Sequence, residues 1–266
     1  MAAVPTVLAP YVTSLVAYDS DLGAPGVHRG LPTTTLTMVF PVGEPLDVSW
    51  AGERDRAKRW STVSGLHAGP AEIHHDGTQR GVQLGLTTAG ARALLGVPAA
   101  ELAGALLELD EVDPVAPELA ALPERLHDAE LEDGPTLVAG ALIRALARHG
   151  EARPRAEVGR ALAGLTRGER VAAVAREVGF SRRRLGTLVK EETGLAPKEY
   201  ARVARFEASR AVLGHRPLAE VAIACGYADQ AHLAREWSEL AGCPPSTWLR
   251  EEFPFLQDHG PADPTG

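Results

Sequence analysis

The feature that most constrains this chain is an internal repeat in its second half. Two segments, each spanning about 26 residues, share small, glycine, apolar and proline positions in the same order. The matched pairs are Ala175 and Ala222, Gly179 and Gly226, Leu185 and Leu233, Val189 and Trp237, Gly194 and Gly242, and Pro197 and Pro245. The offset is 47 residues before one turn and 48 after it. This regularity predicts a duplicated structural unit in which one turn carries one extra residue.

The first copy has the pattern of a helix-turn-helix. Apolar residues from Val171 to Val178 recur at i, i+3, i+4 and i+7, and Ala175 on that face leaves room for a crossing helix. Gly179 can adopt positive φ at the turn, and Ser181 is a favourable N-cap for the helix that follows. We predict this second helix over Arg182–Thr193, with Leu185 inward and Gly194 after its end.

The second copy repeats the pattern. Ala222 lies on the inward face of its first helix, Gly226 makes the turn and Asp229 is the N-cap. Leu233 and Trp237 then pack the second helix inward. A plain helical bundle with glycine turns is the alternative, but a bundle does not require the same turn twice at this offset. The repeat therefore favours two tandem helix-turn-helix units.

The segment between the two units predicts a rigid connection. Pro197–Leu213 has a continuous helical pattern without internal glycine or proline. At 1.5 Å per residue this helix would be about 25 Å long. Successive major-groove faces of B-DNA recur every ~34 Å, so a bridge of this length suits two second helices that enter adjacent major grooves.

Outward residues near the start of each second helix are the candidate DNA contacts. In the first unit these are Arg182, Arg183, Arg184, Thr187 and Lys190; in the second they are Gln230, Ala231 and Arg235. Arginine can bind guanine O6 and N7 in a bidentate manner, and glutamine suits adenine. The basic side chains could instead neutralise phosphates, or simply solvate a helix face. His232 is either a phosphate contact or a residue packed beside the turn.

Composition sets limits on the class of protein. The net charge of −8 divides unevenly: residues 1–154 carry −9, whereas residues 155–252 carry +3, with 16 Lys and Arg against 13 Asp and Glu. This asymmetry permits a DNA partner for the second half. The two cysteines, Cys225 and Cys243, exclude a disulfide scaffold and any zinc site of three or four cysteines. No apolar run is long enough to predict a transmembrane helix.

The repeat also carries a family resemblance. Gly226-Tyr-Ala-Asp-Gln-Ala-His-Leu-Ala-Arg-Glu-Trp237, followed by Gly242-Cys-Pro-Pro245-x-x-Trp248, resembles the signature of AraC-type (AraC/XylS) transcriptional regulators. Val174–Leu185 is similar to the first helix-turn-helix of that family. Ala231 stands where a serine is usual, and Trp237 and Trp248 replace the usual Phe and Tyr. The resemblance implies sequence-specific binding of double-stranded DNA over two adjacent major-groove segments, and a front domain that senses a small-molecule effector or forms a homodimer.

The first half predicts a different fold. Thr33–Phe40, Leu46–Trp50, Thr62–Leu66 and Gly81–Leu86 have strand patterns, and Thr88–Leu95, Pro117–His127 and Pro135–His149 have helical ones. We therefore expect an α+β domain over residues 1–150, a linker at 151–155, an all-α domain of about seven helices with two helix-turn-helix motifs at 156–252, and a polar tail at 253–266. The acidic front domain would be the sensor or dimerisation domain.

Chemistry in the front half is weakly indicated. His28, His67, His74 and His75 raise the question of a metal, but the cupin pattern of His-x-His with a later glutamate is missing, and His74 and His75 would point to opposite faces of a strand. Loop or turn histidines are the alternative. No phosphate loop, nucleophile elbow or dinucleotide fingerprint occurs. We expect no metal, cofactor or catalytic residue, and a cytoplasmic transcription factor without membrane association. An enzyme in the front half and a helix-turn-helix adaptor that binds protein are the rivals.

Overall fold

The first half of the chain forms two antiparallel sheets. The computed structural model describes residues 3–53, 56–149 and 155–251. The strands are β1 (Val12–Asp21), β2 (Gly26–Gly30), β3 (Leu36–Pro41), β4 (Leu46–Trp50), β5 (Ala57–Arg59), β6 (Thr62–Ser64), β7 (Ala71–His75), β8 (Thr78–Leu86) and β9 (Leu106–Leu107). One sheet has the order β1-β8-β3-β6-β9 and the other β2-β7-β4-β5. The β7–β8 connection therefore passes from one sheet to the other.

Local hydrogen bonding explains where the strand predictions succeed and fail. β4 has the predicted bounds, whereas the strand predicted from Thr33 begins only at Leu36. Thr33 Oγ1 donates to the carbonyl oxygen of Thr35 at 2.9 Å, which closes a turn instead of extending the strand. β6 ends before Gly65, where a Cβ atom would lie 1.6 Å from the carbonyl oxygen of Leu102. β1, β2, β5, β7 and β9 were not predicted.

Short helices connect the sheets to the second half. Thr88–Leu95 was predicted as one helix, but it consists of α1 (Thr88–Gly90) and a π-helical turn, Ala91–Leu95. Pro117–His127 is likewise divided into α2 (Pro117–Ala120) and α3 (Leu122–His127), because Pro123 has no N–H to continue the hydrogen bonding of α2. A 3-10 turn occupies Ala99–Glu101, and α4 spans Gly134–His149.

The second half is entirely helical. Its seven helices within residues 155–251 are α5 (Ala156–Thr166), α6 (Val171–Glu177), α7 (Arg182–Thr193), α8 (Pro197–Val212), α9 (Leu218–Ala224), α10 (Gln230–Ala241) and α11 (Pro245–Glu251). This number and the β-rich first half confirm the predicted fold class. The predicted bounds of the first unit's second helix agree with α7, and the predicted bridge agrees with α8 to within one residue.

One apolar cluster extends through both halves of the chain. It contains Phe40 and Leu84 from the sheets, Leu142 from α4, and Leu185 and Trp237 from the helical half. A smaller cluster, made of Val39, Leu46, Val48 and Ala71, fills the space between the sheets. The helical half is therefore packed against the front half.

The remaining predictions concern membrane-spanning helices, the linker and the tail. No helix among residues 3–53, 56–149 and 155–251 is long and apolar enough to cross a membrane. Most of the predicted linker at 151–155 and the predicted tail at 253–266 lie outside the described residues.

Candidate DNA-binding surface

The first helix-turn-helix unit is formed by α6 and α7. α6 is followed by Gly179 with φ +75°, which turns the chain after the helix. Ser181 is the N-cap of α7, and its side chain accepts a hydrogen bond from the Arg184 N–H at 3.2 Å. α7 ends at Gly194, in the left-handed conformation with φ +77°. The turn, cap and stop are those predicted from the sequence.

The second unit reproduces this geometry with α9 and α10. Gly226 has φ +77°, and Asp229 accepts a hydrogen bond from the His232 N–H at 2.7 Å. α10 ends at Gly242 with φ +71°. Two turns of the same conformation are thus each followed by a capped helix of 12 residues. This pairing separates the arrangement from an irregular helical bundle.

The predicted structural residues lie inside the two units. Ala175, Leu185, Ala222, Leu233 and Trp237 are all buried, the last three completely. Trp237 is the largest of them: its Nε1 donates to Ser209 Oγ at 2.9 Å, and its ring lies 4.6 Å from that of Phe206 on α8. The second unit is therefore attached to α8 through this indole.

The candidate DNA contacts lie on the outside of both second helices. All eight are exposed: Arg182, Arg183, Arg184, Thr187 and Lys190 on α7, and Gln230, Ala231 and Arg235 on α10. Within the part of the chain that the structure describes, the basic side chains of this set form no hydrogen bond or ion pair. Thr187 Oγ1 donates to the carbonyl oxygen of Arg183 at 3.2 Å. These exposed cations are available to an anionic partner.

His232 is packed beside the turn of the second unit. The Ala228 N–H donates to its Nδ1 at 3.2 Å, and its ring lies edge-on to Tyr227 with 5.3 Å between centroids. Burial raises the pKa of Tyr227 to about 12, which keeps the phenol neutral. Of the two interpretations offered for His232, these contacts are those of a packed residue.

A buried glutamate, which was not among the residues predicted from the sequence, connects α10 to α8. Glu236 is 6% exposed and accepts hydrogen bonds from Arg205, with Nη2 at 2.7 Å from Oε2. Arg202 also forms an ion pair with Glu236, at 3.3 Å, and another with Glu239. The guanidinium of Arg205 also lies over the ring of Tyr227, 4.8 Å from its centroid. The only signal in the sequence was that the charged Glu236 lies among the apolar positions of the inward face of α10.

Comparisons with known proteins agree with this geometry. Residues 155–251 match a family model described as a helix-turn-helix domain. Residues 155–251 form an AraC-type helix-turn-helix domain. No curated protein matches the chain in sequence.

Solved structures extend the similarity to the first half. ToxT from Vibrio cholerae (P21 form) is 12% identical, covers 90% of this chain and 99% of its own, and gives a TM-score of 0.54. Wild-type ToxT from strain SCE256 of Vibrio cholerae, with a bound unsaturated fatty acid, is 12% identical over 89% of this chain and 95% of its own, with a TM-score of 0.52. The C-terminal domain of AraT from Geobacillus stearothermophilus is 19% identical over 43% of this chain and 98% of its own, with a TM-score of 0.37. The ToxT comparison shows a shared fold over most of the chain.

The front half contacts the AraC-type domain at the far end of α7. Glu192, which is 5% exposed, forms an ion pair with Arg92 at 3.0 Å. Gly194 packs so closely that a Cβ atom there would lie 2.1 Å from Ala103 Cβ. On α8, Glu207 accepts hydrogen bonds from both the N–H and the hydroxyl of Thr34, at 3.1 and 2.8 Å. The front half therefore contacts the first unit at the end of α7 that is opposite the exposed arginines.

Of the four histidines considered as metal ligands, His67 lies in a loop as the alternative interpretation expected, whereas the other three lie in strands. His28, His74 and His75 are in β2 and β7, and the rings of His28 and His75 are 5.7 Å apart. Burial, together with His75, lowers the pKa of His28 to about 4, and burial lowers that of His67 to about 4. Among residues 3–53, 56–149 and 155–251, no group of three or more His, Cys, Asp or Glu side chains could hold a metal ion.

Proposed function

We propose that this protein regulates transcription by binding double-stranded DNA sequence-specifically, with α7 and α10 in two adjacent major-groove segments. The observation that carries the proposal is the repeated, capped helix-turn-helix with exposed basic residues on both second helices that pair with none of the described residues. The α8 helix, with 16 residues, spans about 24 Å, which suits two insertions on one face of the duplex.

The proposed base contacts come from both units. Arg183 and Arg235 are the main candidates for guanine, and Gln230 for adenine. Further contacts to bases or phosphates are assigned to Arg182, Arg184, Thr187, Lys190 and Ala231, where the alanine methyl can touch a thymine methyl. The division of roles follows the rule that outward residues near the start of a recognition helix meet the base edges.

The decisive experiment selects duplexes from a random pool with the full chain and then compares variants on the best duplex. Arg183→Ala and Arg235→Ala should each lose about 1–3 kcal/mol of binding free energy and relax the preference at one or two base pairs. Glu132→Gln, on the exposed surface of the front half, serves as the control for surface substitution. Failure of the pool to yield any preferred sequence would contradict the proposal. An enzyme or a protein-binding adaptor would be indifferent to both arginine substitutions.

The front half is proposed to be the sensor of a small-molecule effector. It contains an open cavity of about 620 Å³ at one end of the sheets, lined by residues that include Tyr18, Leu46 and His75. This volume lies in the range of about 300–1,000 Å³ that is usual for ligand sites. The fold shared with ToxT, which has been crystallised with an unsaturated fatty acid, makes a long-chain carboxylate the first ligand to test.

Effector binding can be tested by thermal unfolding and by DNA affinity in the presence of an unsaturated fatty acid. A ligand that binds the folded chain should raise the unfolding midpoint with concentration, whereas the saturated acid of equal length is the matched control. Unchanged midpoints and DNA affinity at all concentrations would remove this ligand class from the proposal.

The remaining parts of the proposal concern organisation. We place the boundary between sensor and DNA-binding domain near residues 151–155, and we assign no catalytic role to either half. Such a regulator would act in the cytoplasm, where its DNA target lies. Because one chain carries both recognition helices, it can bind DNA as a monomer, and sedimentation with and without the selected duplex would reveal a homodimer.

A further inference from the structure

A cleft lies between the two helix-turn-helix units. We call it the interunit cleft. Its volume is about 1,000 Å³. It is lined by the segment Thr166–Val171, which leads into α6, by one side of α8, by the end of α9 and by α10. Arg235 belongs both to this lining and to the outward face of the second recognition helix. The cleft is therefore continuous with the candidate DNA-binding surface.

The basic residues of the interunit cleft fall into two groups. Arg202 and Arg205 are held by Glu236, and Arg167 is held by Glu169 at 2.7 Å. The second group consists of Arg170, Lys198 and Arg235. Their side chains are exposed and form no hydrogen bond or ion pair with the residues that the structure describes. Three cations in the cleft are thus available to an external anion.

The geometry of tandem recognition helices determines what faces this cleft. Between two adjacent major-groove segments on one side of B-DNA lies the minor groove, which is bordered by two phosphate strands. A protein that inserts α7 and α10 into those segments must place the region between its units against these strands. Arginine and lysine without protein partners are suited to phosphate oxygens.

From these observations we propose that the interunit cleft receives the phosphate backbone between the two major-groove segments, with Arg170 and Lys198 as phosphate contacts that the recognition helices do not supply. The inference rests on the proposed function. Arg170 approaches from the first unit and Lys198 from the first turn of α8, so the contacts lie on two sides of the cleft. Because phosphates are common to all sequences, these contacts add affinity and fix the register without reading bases.

The test measures the salt dependence of DNA binding by the full chain and its variants. The probe is the best duplex from the random pool, titrated between about 50 and 200 mM KCl. Each phosphate contact that is lost should reduce the slope of log K against log salt by about 0.9. Arg170→Ala and Lys198→Ala should each weaken binding several-fold with this change in slope, and the double variant should show about twice the change. The ranking of base substitutions in the duplex should be the same as for the unmodified chain.

Matched variants separate local contact from overall charge. Arg160→Ala removes one exposed cation from α5, outside the cleft, that has no ion pair within residues 3–53, 56–149 and 155–251, and it should leave the slope nearly unchanged. Lys198→Arg keeps the charge and should retain the slope. Equal slopes for Arg170→Ala, Lys198→Ala and Arg160→Ala would overturn the inference, as would an altered base preference in either cleft variant.

The outcomes also distinguish this inference from the function on which it rests. If the unmodified chain selects no duplex, the proposed function fails. If it selects one but the cleft variants bind like the unmodified chain at every salt concentration, only the inference fails. Normal DNA binding by the cleft variants combined with lost binding of an acidic peptide would assign the cleft to a protein partner and overturn the inference.

Discussion

The two helix-turn-helix units share their turns but are held in place by different parts of the molecule. The first unit is attached to the front half, through the Arg92–Glu192 ion pair and the tight contact of Gly194 with Ala103. The second is attached to α8, through Trp237 and the buried Glu236. At the position that matches Glu236, the first unit has the buried Leu188. Duplication has thus preserved the motif, while the supporting contacts of each copy differ.

This difference determines how a structural change in the front half would reach each unit. A change in the front half acts on α7 directly, because its last turn is part of that contact. The same change reaches α10 through α8 and the Glu236 ion pairs, and at the edge of the second unit through Pro70 beside Gly242 and the partly exposed Arg29–Glu251 ion pair. The first unit is therefore the expected point at which a sensor in the front half would alter DNA binding.

The largest effect of a single substitution should come from breaking the apolar support of the second unit. Trp237→Ala removes a completely buried indole and should cost about 3–5 kcal/mol of unfolding free energy. The matched Val189→Ala in the first unit removes a smaller buried side chain and should cost about 2 kcal/mol. Urea denaturation followed by circular dichroism measures both. Equal losses would mean that the two units are supported alike.

Acidification should destabilise the front half. His28 and His67 bind a proton near pH 6.5 in the unfolded chain but only near pH 4 in the folded one, because burial lowers their pKa. The unfolded state therefore binds more protons between these pH values. Stability is complete above about pH 6.5 and falls as the pH decreases towards 4, by up to about 3 kcal/mol for each histidine.

Hydrogen exchange can localise that loss. Because His28 lies in β2 and His67 precedes β7, the amides of these two strands should lose protection at a higher pH than those of α7 and α10. His28→Gln combined with His67→Gln should flatten the pH dependence of the unfolding midpoint. A midpoint in the unmodified chain that is the same at pH 7 and pH 5 would contradict the prediction.

The glycines that end α7 and α10 provide a direct comparison of the two attachments. Both have positive φ, so an alanine at either position costs about 1–2 kcal/mol in the backbone. Gly194→Ala must also displace Ala103, which should raise its cost to about 2–4 kcal/mol. At Gly242 the nearest atom to a new Cβ is Pro70 Cγ at 3.3 Å, so Gly242→Ala should show the backbone cost alone. Differential scanning calorimetry would show whether the two costs differ.

The smallest of these effects concerns the ion pairs of the second unit. Glu236→Gln leaves Arg202 and Arg205 without their shared buried carboxylate and should cost about 2 kcal/mol. Glu239→Gln alters a pair whose carboxylate is 65% exposed and should change the unfolding free energy by less than about 0.5 kcal/mol. Chemical denaturation of both variants checks the ratio. An unchanged unfolding free energy for Glu236→Gln would show that Trp237, and not these ion pairs, supports the second unit.

The residues that the sequence could predict are those governed by local rules. Ser181 and Asp229 cap the two second helices as expected, since an N-cap depends only on the three residues that follow it. Gly179 and Gly226 turn the chain for an equally local reason. The repeat made these assignments firm, because each one appeared twice.

What the sequence did not predict depends on partners far apart in the chain. Arg92 and Glu192 are separated by 100 residues, and no periodicity indicates that they meet. Arg205 and Arg202, which pair with Glu236, lie 31 and 34 positions earlier in the chain. They are on α8, and the sequence does not specify the rotation of that helix about its axis. In the front half, β1 was missed because its outward residues are mixed in polarity, as its irregular burial pattern shows.

The close packing of Ala100 and Ala103 on Gly194 has a consequence for protein engineering. A fragment that begins near residue 155 would remove Arg92 and Ala103 from the last turn of α7, which contains the buried Glu192 and Thr193, and we expect such a fragment to lose part of the stability of its first unit. A chimera that joins this DNA-binding half to another sensor should therefore retain residues 91–103 as part of the transplanted piece. The residues that support the first recognition helix thus precede it in the chain by about 90 positions.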